Sequence, residues 1–525
     1  MGHALLINPS SYRTYGTAEG GIAFPVYPVL ALASIGGALR DRGHTFRILD
    51  LSYRRYDPDL IREVLRTERP DVVGITATTP LMNQLRDISF VVKEVDDRIL
   101  TIGGGSHPSA LPEETLRESA LDFVARGETD FVIADLLDGR PPAEIGGLYL
   151  RDGDRVVSTG LAGLLDDLDT LPLPAFEQYP LEAAWKSSKL LARHLPVTSV
   201  EFSRGCIYSC DFCASKHTMG RGYRKKSPER CADELQRLAA LGFREAVLHD
   251  DIFTTDTDWA AAVCEEIIRR KVDIAWTASN GIRVDAVSPD LFTIMKQAGC
   301  YRVYFGFETG NEDVLKAFGK GGRATLDRGV EAVRMAHDAG LDPSGFFQVG
   351  LMPDTEATMQ DTIDYARKMP LDNLKCGICV PYPGTPMFGE LHRQGRIKTL
   401  DWDEYTVYNR AADIFEHPTL DWPTITAAFD RFYRDVYVRN PRYAVRRFRS
   451  LVKNRELLPY VWYTIRFLRM INGKRPAPDP EDYAHADQWR PLDTPLAQAL
   501  PEHPVPRHRR TGTALTMRER RPVSP

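Results

Sequence analysis

The chain has 525 residues and a net charge of −5, from 67 Lys and Arg against 72 Asp and Glu. At roughly 150 residues per domain this length asks for two to four domains, and the mild acidity excludes the overall basic footprint of a nucleic-acid partner. No apolar run approaches the ~18 residues of a membrane span, and Met1 to Ile7 enters a strand-like run without a basic leader and cleavage site, so a cytoplasmic protein is expected.

From Ala4 to about Leu137 short apolar strands alternate with amphipathic helices, which predicts a doubly wound, flavodoxin-like α/β sheet. Its strands are predicted at 4–9, 46–51, 71–79, 99–105 and 122–128. Helices are predicted at 29–42, closed by Gly43, and at 58–66, with Asp57 as N-cap. Ligands of such sheets bind beyond the carboxyl ends of the strands. This first domain is assigned to 1–140. Residues 141–195 read as a linker carrying a small hairpin (GLYLRDGDRVV) and the acidic, proline-bearing LDDLDTLPLPAF.

A second β/α series has strands predicted at 197–202, 246–249, 273–278, 302–307, 345–350 and 374–380. Six units in under 200 residues suit a partial (β/α)6 barrel over 196–395, with its active groups at the strand carboxyl ends. Residues 396–475 read as a helical C-terminal region that includes the basic aromatic stretch Phe432 to Asn454, expected to be a solvated amphipathic helix. The tail 476–525 holds ten of the 36 prolines and is expected to be disordered.

The eight cysteines are unevenly spread: none precedes Cys206, and Cys206, Cys210 and Cys213 then form C-x3-C-x2-C in SRGCIYSCDFCASK, directly after a strand. Chance would give that spacing with a probability of about 0.002. Three thiolates on one loop can hold three irons of a 4Fe-4S cube and leave the fourth iron open. A zinc knuckle is the alternative, with His217 as the nearest fourth ligand. Cys231, Cys264 and Cys300 fall in helix-like segments and read as buried hydrophobes. Cys376 and Cys379 form C-x2-C, but their alternate faces argue against a second cluster.

These motifs resemble the radical S-adenosylmethionine (SAM) superfamily. The resemblance implies that the open iron binds the amino and carboxylate groups of SAM, and that one electron cleaves SAM to methionine and a 5'-deoxyadenosyl radical. It places Phe212 near the adenine. Asp250 and Asp251, in HDDIF after the second barrel strand, would face the SAM ammonium, with a helix N-cap as the alternative for Asp251. Arg283 would pair with the SAM carboxylate, or form a surface salt bridge. Glu308 in FGFETG, where Thr309 replaces the family's Ser, would take the ribose hydroxyls. VGLMPDTEAT, with Met352 inserted, supplies Gly350 more firmly than Glu356. PYPGTPMF closes a similarity that spans roughly 196–395.

PVYPVLALASIGGALRDRGH, IGGGSHPSALPEE and ARGETD resemble the cobalamin-binding domain of cobalamin-dependent radical SAM enzymes. In that reading the backbone of Gly103, Gly104 and Gly105 approaches the cofactor, whose nucleotide tail lies between this loop and Gly127 and Glu128. GGGSHP lacks the last glycine of G-x-G-x-x-G, which disfavours NAD. The family's D-x-H-x-x-G is absent, because the chain reads Asp50, Leu51, Ser52, Tyr53, Arg54, Arg55. No histidine ligand to cobalt comes from there. Thr76, Thr78, Thr79 and Leu81 would lie near the lower face, with Met82 or Asn83 beside them, and His107 near the cobalamin edge. A loop histidine bonded to backbone is the alternative for His107.

The resemblance thus implies three cofactors: a 4Fe-4S cluster, SAM and cobalamin. The implied activity is C-methylation of an unactivated carbon of a small-molecule, natural-product or antibiotic intermediate, using two SAM molecules per turnover and an electron donor such as flavodoxin or ferredoxin. An oxidative cyclase or ring-rearranging enzyme with the same cofactors is the alternative, akin to the porphyrin cyclases. A transfer-RNA methylthiotransferase would need a second cluster in the N-terminal domain, which the cysteine-free first 205 residues deny. A cobalamin sensor would have no use for the cluster motif.

Overall fold

The computed structural model describes residues 1–11, 28–179, 184–185, 192–320, 322–405, 411–462, 465, 483–485 and 488. Apart from 483–485 and 488, the proline-rich tail lies outside the described residues.

The first sheet contains β1 (His3–Asn8), β2 (Thr45–Asp50), β3 (Val72–Thr76), β4 (Leu100–Gly104), β5 (Phe123–Ala125), β6 (Leu148–Asp152) and β7 (Arg155–Ser158), in the order 2-1-3-4-5-6-7. The first five strands run parallel. This is the doubly wound arrangement expected, and helices on both faces explain why β1 and β3 are nearly continuous apolar runs. The helix Leu30–Asp41 runs up to Gly43 at φ 76°, and Asp57 caps the helix Pro58–Glu68 by accepting from the backbone N–H of Asp59 and Leu60. The small hairpin forms, but not in a linker: β6 pairs antiparallel with β5 and so extends the first sheet to seven strands. Its alternating apolar residues, Leu148 and Leu150, needed a partner strand that local sequence does not reveal.

The second sheet consists of β8 (Val197–Val200), β11 (Glu245–Leu248), β12 (Ala275–Ile282), β13 (Cys300–Glu308), β14 (Asp342–Val349) and β15 (Asn373–Ile378), all parallel and in sequential order. Between the first two of these lies a two-stranded piece, β9 (Ser203–Arg204) with β10 (Arg224–Lys225). The result is the open six-stranded barrel expected. One reading changes: Cys300 opens β13 instead of ending a helix, because Gly299 at φ 94° stops the preceding helix, Pro289–Gln297. Cys231, Cys264, Cys300, Cys376 and Cys379 are all buried.

The two sheets face each other at their carboxyl ends across one cavity, and the segment after the first sheet packs against the amino side of the barrel, where Phe176 meets Phe243 edge-on at 6.0 Å. The expected helical region follows the barrel, with helices Trp422–Tyr433 and Pro441–Lys453 packed under it. No helix among the described residues is long and apolar enough to cross a membrane.

Candidate functional site

The cysteine loop leaves β9 through Gly205, whose φ is 90°. A Cβ there would stand 2.2 Å from the Gly222 carbonyl, so only glycine makes this turn. Cys206, Cys210 and Cys213 follow, all half-buried. The loop is tied down from both sides: Asp211 N–H donates to the Phe318 carbonyl at 3.2 Å, and Met387 N–H donates to the Asp211 carbonyl at 3.1 Å. Burial pushes the Cys210 thiol up to about 11 against the pull of Lys320, so its thiolate is stable where an iron takes the charge. Among the described residues no three His, Cys, Asp or Glu side chains converge on a single ion. His217 sits beside Gly384, and burial lowers its pKa to about 4.

Around this loop the expected SAM contacts take different positions. Asp251 has a buried carboxylate oxygen, Oδ2, without a hydrogen-bond partner, and burial pushes its pKa up to about 6. A buried orphan acceptor beside the cysteine loop fits an ammonium ligand. Asp250 instead accepts from Phe202 N–H at 2.7 Å and Ser203 Oγ at 2.5 Å, and burial raises its pKa to about 8; it braces the end of β8. Arg283 is also engaged, forking onto Asp285 at 2.8 and 3.1 Å while its guanidinium lies 3.7 Å over the Tyr208 ring. That contact supports the cysteine loop. Glu308 adopts φ 64° at the end of β13 and accepts from Lys320 Nζ at 2.7 Å and Gln348 Nε2 at 2.9 Å. Gly350 turns at φ 73° after β14, and Phe212 packs on Phe318 at 5.5 Å.

Opposite lies a cavity of about 580 Å³ whose walls combine Thr76, Thr78, Gly104, Gly105, Gly127 and Glu128 from the first sheet with Ser199, Glu201, His249 and Asn280 from the barrel. A Cβ on Gly104 would meet nothing within 4 Å, so this backbone is open to a ligand, whereas one on Gly105 (φ 106°) would strike the Ala77 carbonyl at 2.5 Å. At the end of β2, Ser52 lines the cavity beside Asp50, whose carboxylate accepts from Asn8 Nδ2 at 2.8 Å and from the Ser52 N–H at 3.0 Å. A bulky ligand with its own hydrogen-bonding groups fits this donor set. His107 is not in the lining: Nδ1 pairs with Thr79 Oγ1 at 3.2 Å, and the ring meets Trp402 edge-on at 4.6 Å. Nor do Met82 and Asn83 reach it; Met82 is fully buried, and Asn83 Nδ2 donates to Asp401 at 2.9 Å.

The family models for the B12 binding domain and the radical SAM superfamily match residues 23–137 and 200–366. An uncharacterized methyltransferase of Pyrococcus horikoshii is 31% identical over 385 residues, covering 72% of this chain and 82% of that one. The chain belongs to the cobalamin-binding radical SAM family. The anaerobic magnesium-protoporphyrin IX monomethyl ester cyclase of Rubrivivax gelatinosus is 27% identical, covering 76% of this chain and 72% of its own. Among solved structures, the radical SAM methyltransferase TsrM from Kitasatospora setae, with cobalamin and a [4Fe-4S] cluster bound, superposes with a TM-score of 0.62 at 20% identity, covering 75% of this chain and 78% of that one.

As a radical SAM enzyme of this family the protein uses a 4Fe-4S cluster, SAM and cobalamin. Local patterns missed the groups that join its two halves. Arg204, two residues before Cys206, forks onto Asp130 of the first domain at 2.8 and 3.0 Å and pairs with Glu201 at 2.6 Å. Arg224 grips Glu128, with Nη1 at 2.8 Å from Oε2. Glu128 therefore serves the junction as well as the cavity wall. The sequence shows the partners only as charged residues inside SRGC and ARGETD, with no indication that the two segments meet.

Proposed function

We propose that the chain is a C-methyltransferase that methylates an unactivated carbon of a small-molecule natural-product intermediate. The observation that carries this reading is the single cavity whose walls come from the glycine edge of the B12-binding domain and from the barrel strands next to the cysteine loop. When bound, the cluster and SAM supply a 5'-deoxyadenosyl radical and cobalamin carries the methyl group.

The protein's own residues bind, orient and shield. Cys206, Cys210 and Cys213 hold the cluster, and Asp251 offers the SAM ammonium its unpartnered oxygen. Glu308, steered by Lys320 and Gln348, presents its carboxylate at the end of β13, where the ribose is assigned. Asp250 and Arg283 act one step back, fixing the strand end and Tyr208. Gly104, Gly105, Gly127, Thr76 and Thr78 frame cobalamin. Burial in such a cavity keeps water from reactive species. His107 is assigned to packing against Trp402 in place of a cofactor contact.

The same reading assigns 1–140 to cobalamin, 196–395 to SAM chemistry and 396–475 to a helical cover. It adds a reduced flavodoxin or ferredoxin as electron donor and a cytoplasmic location. The test is product stoichiometry under anaerobic turnover. Methyl transfer with two SAM molecules per cycle yields 5'-deoxyadenosine and S-adenosylhomocysteine in equal amounts. A cyclase yields deoxyadenosine without matching S-adenosylhomocysteine.

A further inference from the structure

The helix Pro441–Lys453 turns an apolar stripe outward. Its inward face, with Tyr443, Ser450 and Leu451 buried, packs under the barrel, while Val445, Phe448 and Val452, spaced three and four apart, are 50%, 57% and 51% exposed. The chain repeats the pattern at once: residues 457–462 are helical, and Leu458, Val461, Trp462 and Ile465 are exposed at the same spacing, Leu458 by 81%. Six cations and no acid lie between Pro441 and Arg455, in a chain that is acidic overall. Arg442, Arg449 and Lys453 flank the stripe and line, with Arg446, a groove of about 750 Å³ beside the helix. Its inner wall includes Asp342, already paired with Arg193 at 2.6 Å, and Asp372.

A stripe of apolar side chains flanked by cations matches an anionic bilayer surface, in which the apolar groups enter the acyl boundary and Arg and Lys meet phosphates. We propose that residues 441–462, with Ile465, dock the enzyme on an anionic phospholipid surface, with lipid phosphates entering the groove. Two other occupants fit less well. A symmetric second copy would bring the six cations of each chain against their equals. An electron donor belongs near the cluster, yet this face lies at the other end of the barrel: Arg446 holds the Leu371 and Met369 carbonyls and Asn454 holds Asp342, all at the amino ends of β14 and β15. An eight-residue strand, ~26 Å long, separates that end from the cysteine loop.

The test is flotation of the full-length, cofactor-loaded enzyme with vesicles of phosphatidylcholine alone or mixed with phosphatidylglycerol. The expected result is partition to the phosphatidylglycerol vesicles only, weakening as salt rises. Phe448→Asp with Leu458→Asp should cut partition on the order of tenfold or more while cobalamin content and melting temperature stay unchanged. Absence of partition at low salt overturns the proposal, as does equal partition of the double variant. Detection by sedimentation velocity of a dimer that the double variant abolishes also overturns it, as does loss of flavodoxin reduction kinetics in that variant, since either names a protein as the occupant.

Discussion

Asp130 and Arg204 meet in a buried, two-pronged ion pair that binds the cobalamin half to the residue leading into the cysteine loop, with oxygen–nitrogen distances of 2.8 and 3.0 Å. Ser34 Oγ donates to the same carboxylate at 2.6 Å. Burial alone would raise the Asp130 pKa, but Arg204 outweighs it and holds the carboxyl below its ordinary range. The relative placement of the two cofactor faces therefore rests on a charge pair with little tolerance for losing one partner.

Asp130→Asn should leave the Arg204 charge half-paired in a dry site. The expected cost is about 3 kcal/mol, at the low end for a broken buried pair because Glu201 remains. Thermal melting of the cofactor-free protein measures this, and a melting temperature unchanged from wild type would show the pair to be dispensable.

Neighbouring glycines at the cobalamin edge should behave differently. Gly104→Ala meets no atom within 4 Å and should leave the melting temperature unchanged while lowering cobalamin retention on gel filtration. Gly105→Ala, at φ 106° and against the Ala77 carbonyl, should cost about 1–3 kcal/mol of stability as well. Equal cobalamin retention in Gly104→Ala and wild type would remove this edge from the binding site.

How much of this was legible in the sequence follows from the range of each signal. Strands such as β1 and β13 were readable because a short run of apolar and aromatic side chains is a local property, and the cysteine loop because three thiols at that spacing have few other uses. The motifs put Glu308 and Gly350 at the carboxyl ends of the fourth and fifth barrel strands, where the fold has them. Arg283 and Asp250 were legible as positions but not as roles: their partners, Asp285 with Tyr208 and Ser203 with the Phe202 amide, are set by the tertiary fold. His107 drew attention as the early histidine near the predicted cobalamin edge, whereas Trp402, nearly 300 residues on in the chain, decides its surroundings. Arg204 and Asp130 both lie inside motif segments, SRGC and ARGETD, but nothing in either segment marks them as partners.

Each of Cys206→Ala, Cys210→Ala and Cys213→Ala should abolish the visible absorption and reduced-state EPR signal of a reconstituted cluster. Cobalamin content should persist, because the cobalamin-facing loops close without these side chains. Retention of a full cluster signal in any one variant would return that cysteine to a structural role.

Glu245 gives a pH signature far from the chemistry. It is buried at the start of β11, where it accepts from Tyr301 Oη at 2.7 Å and from the Arg193 and His194 amides at 2.8 Å, and burial raises its pKa to about 7. A carboxyl with a raised folded-state pKa binds its proton more tightly when folded. Its stabilising contribution is complete below the unfolded value and fades as pH climbs through about 7. Glu245→Gln mimics the protonated form, so its melting temperature should gain on wild type between about pH 5 and pH 8. A constant difference across that range would contradict the assignment.

The central claim is that a methyl group passes from SAM, through this cavity, to a carbon of the substrate. Anaerobic turnover with SAM carrying a trideuterated methyl group, followed by mass spectrometry of the substrate pool, tests it most directly. The account predicts a product heavier by an intact labelled methyl, formed together with 5'-deoxyadenosine. Deoxyadenosine with a product that gains no label would contradict methyl transfer and favour oxidative cyclisation.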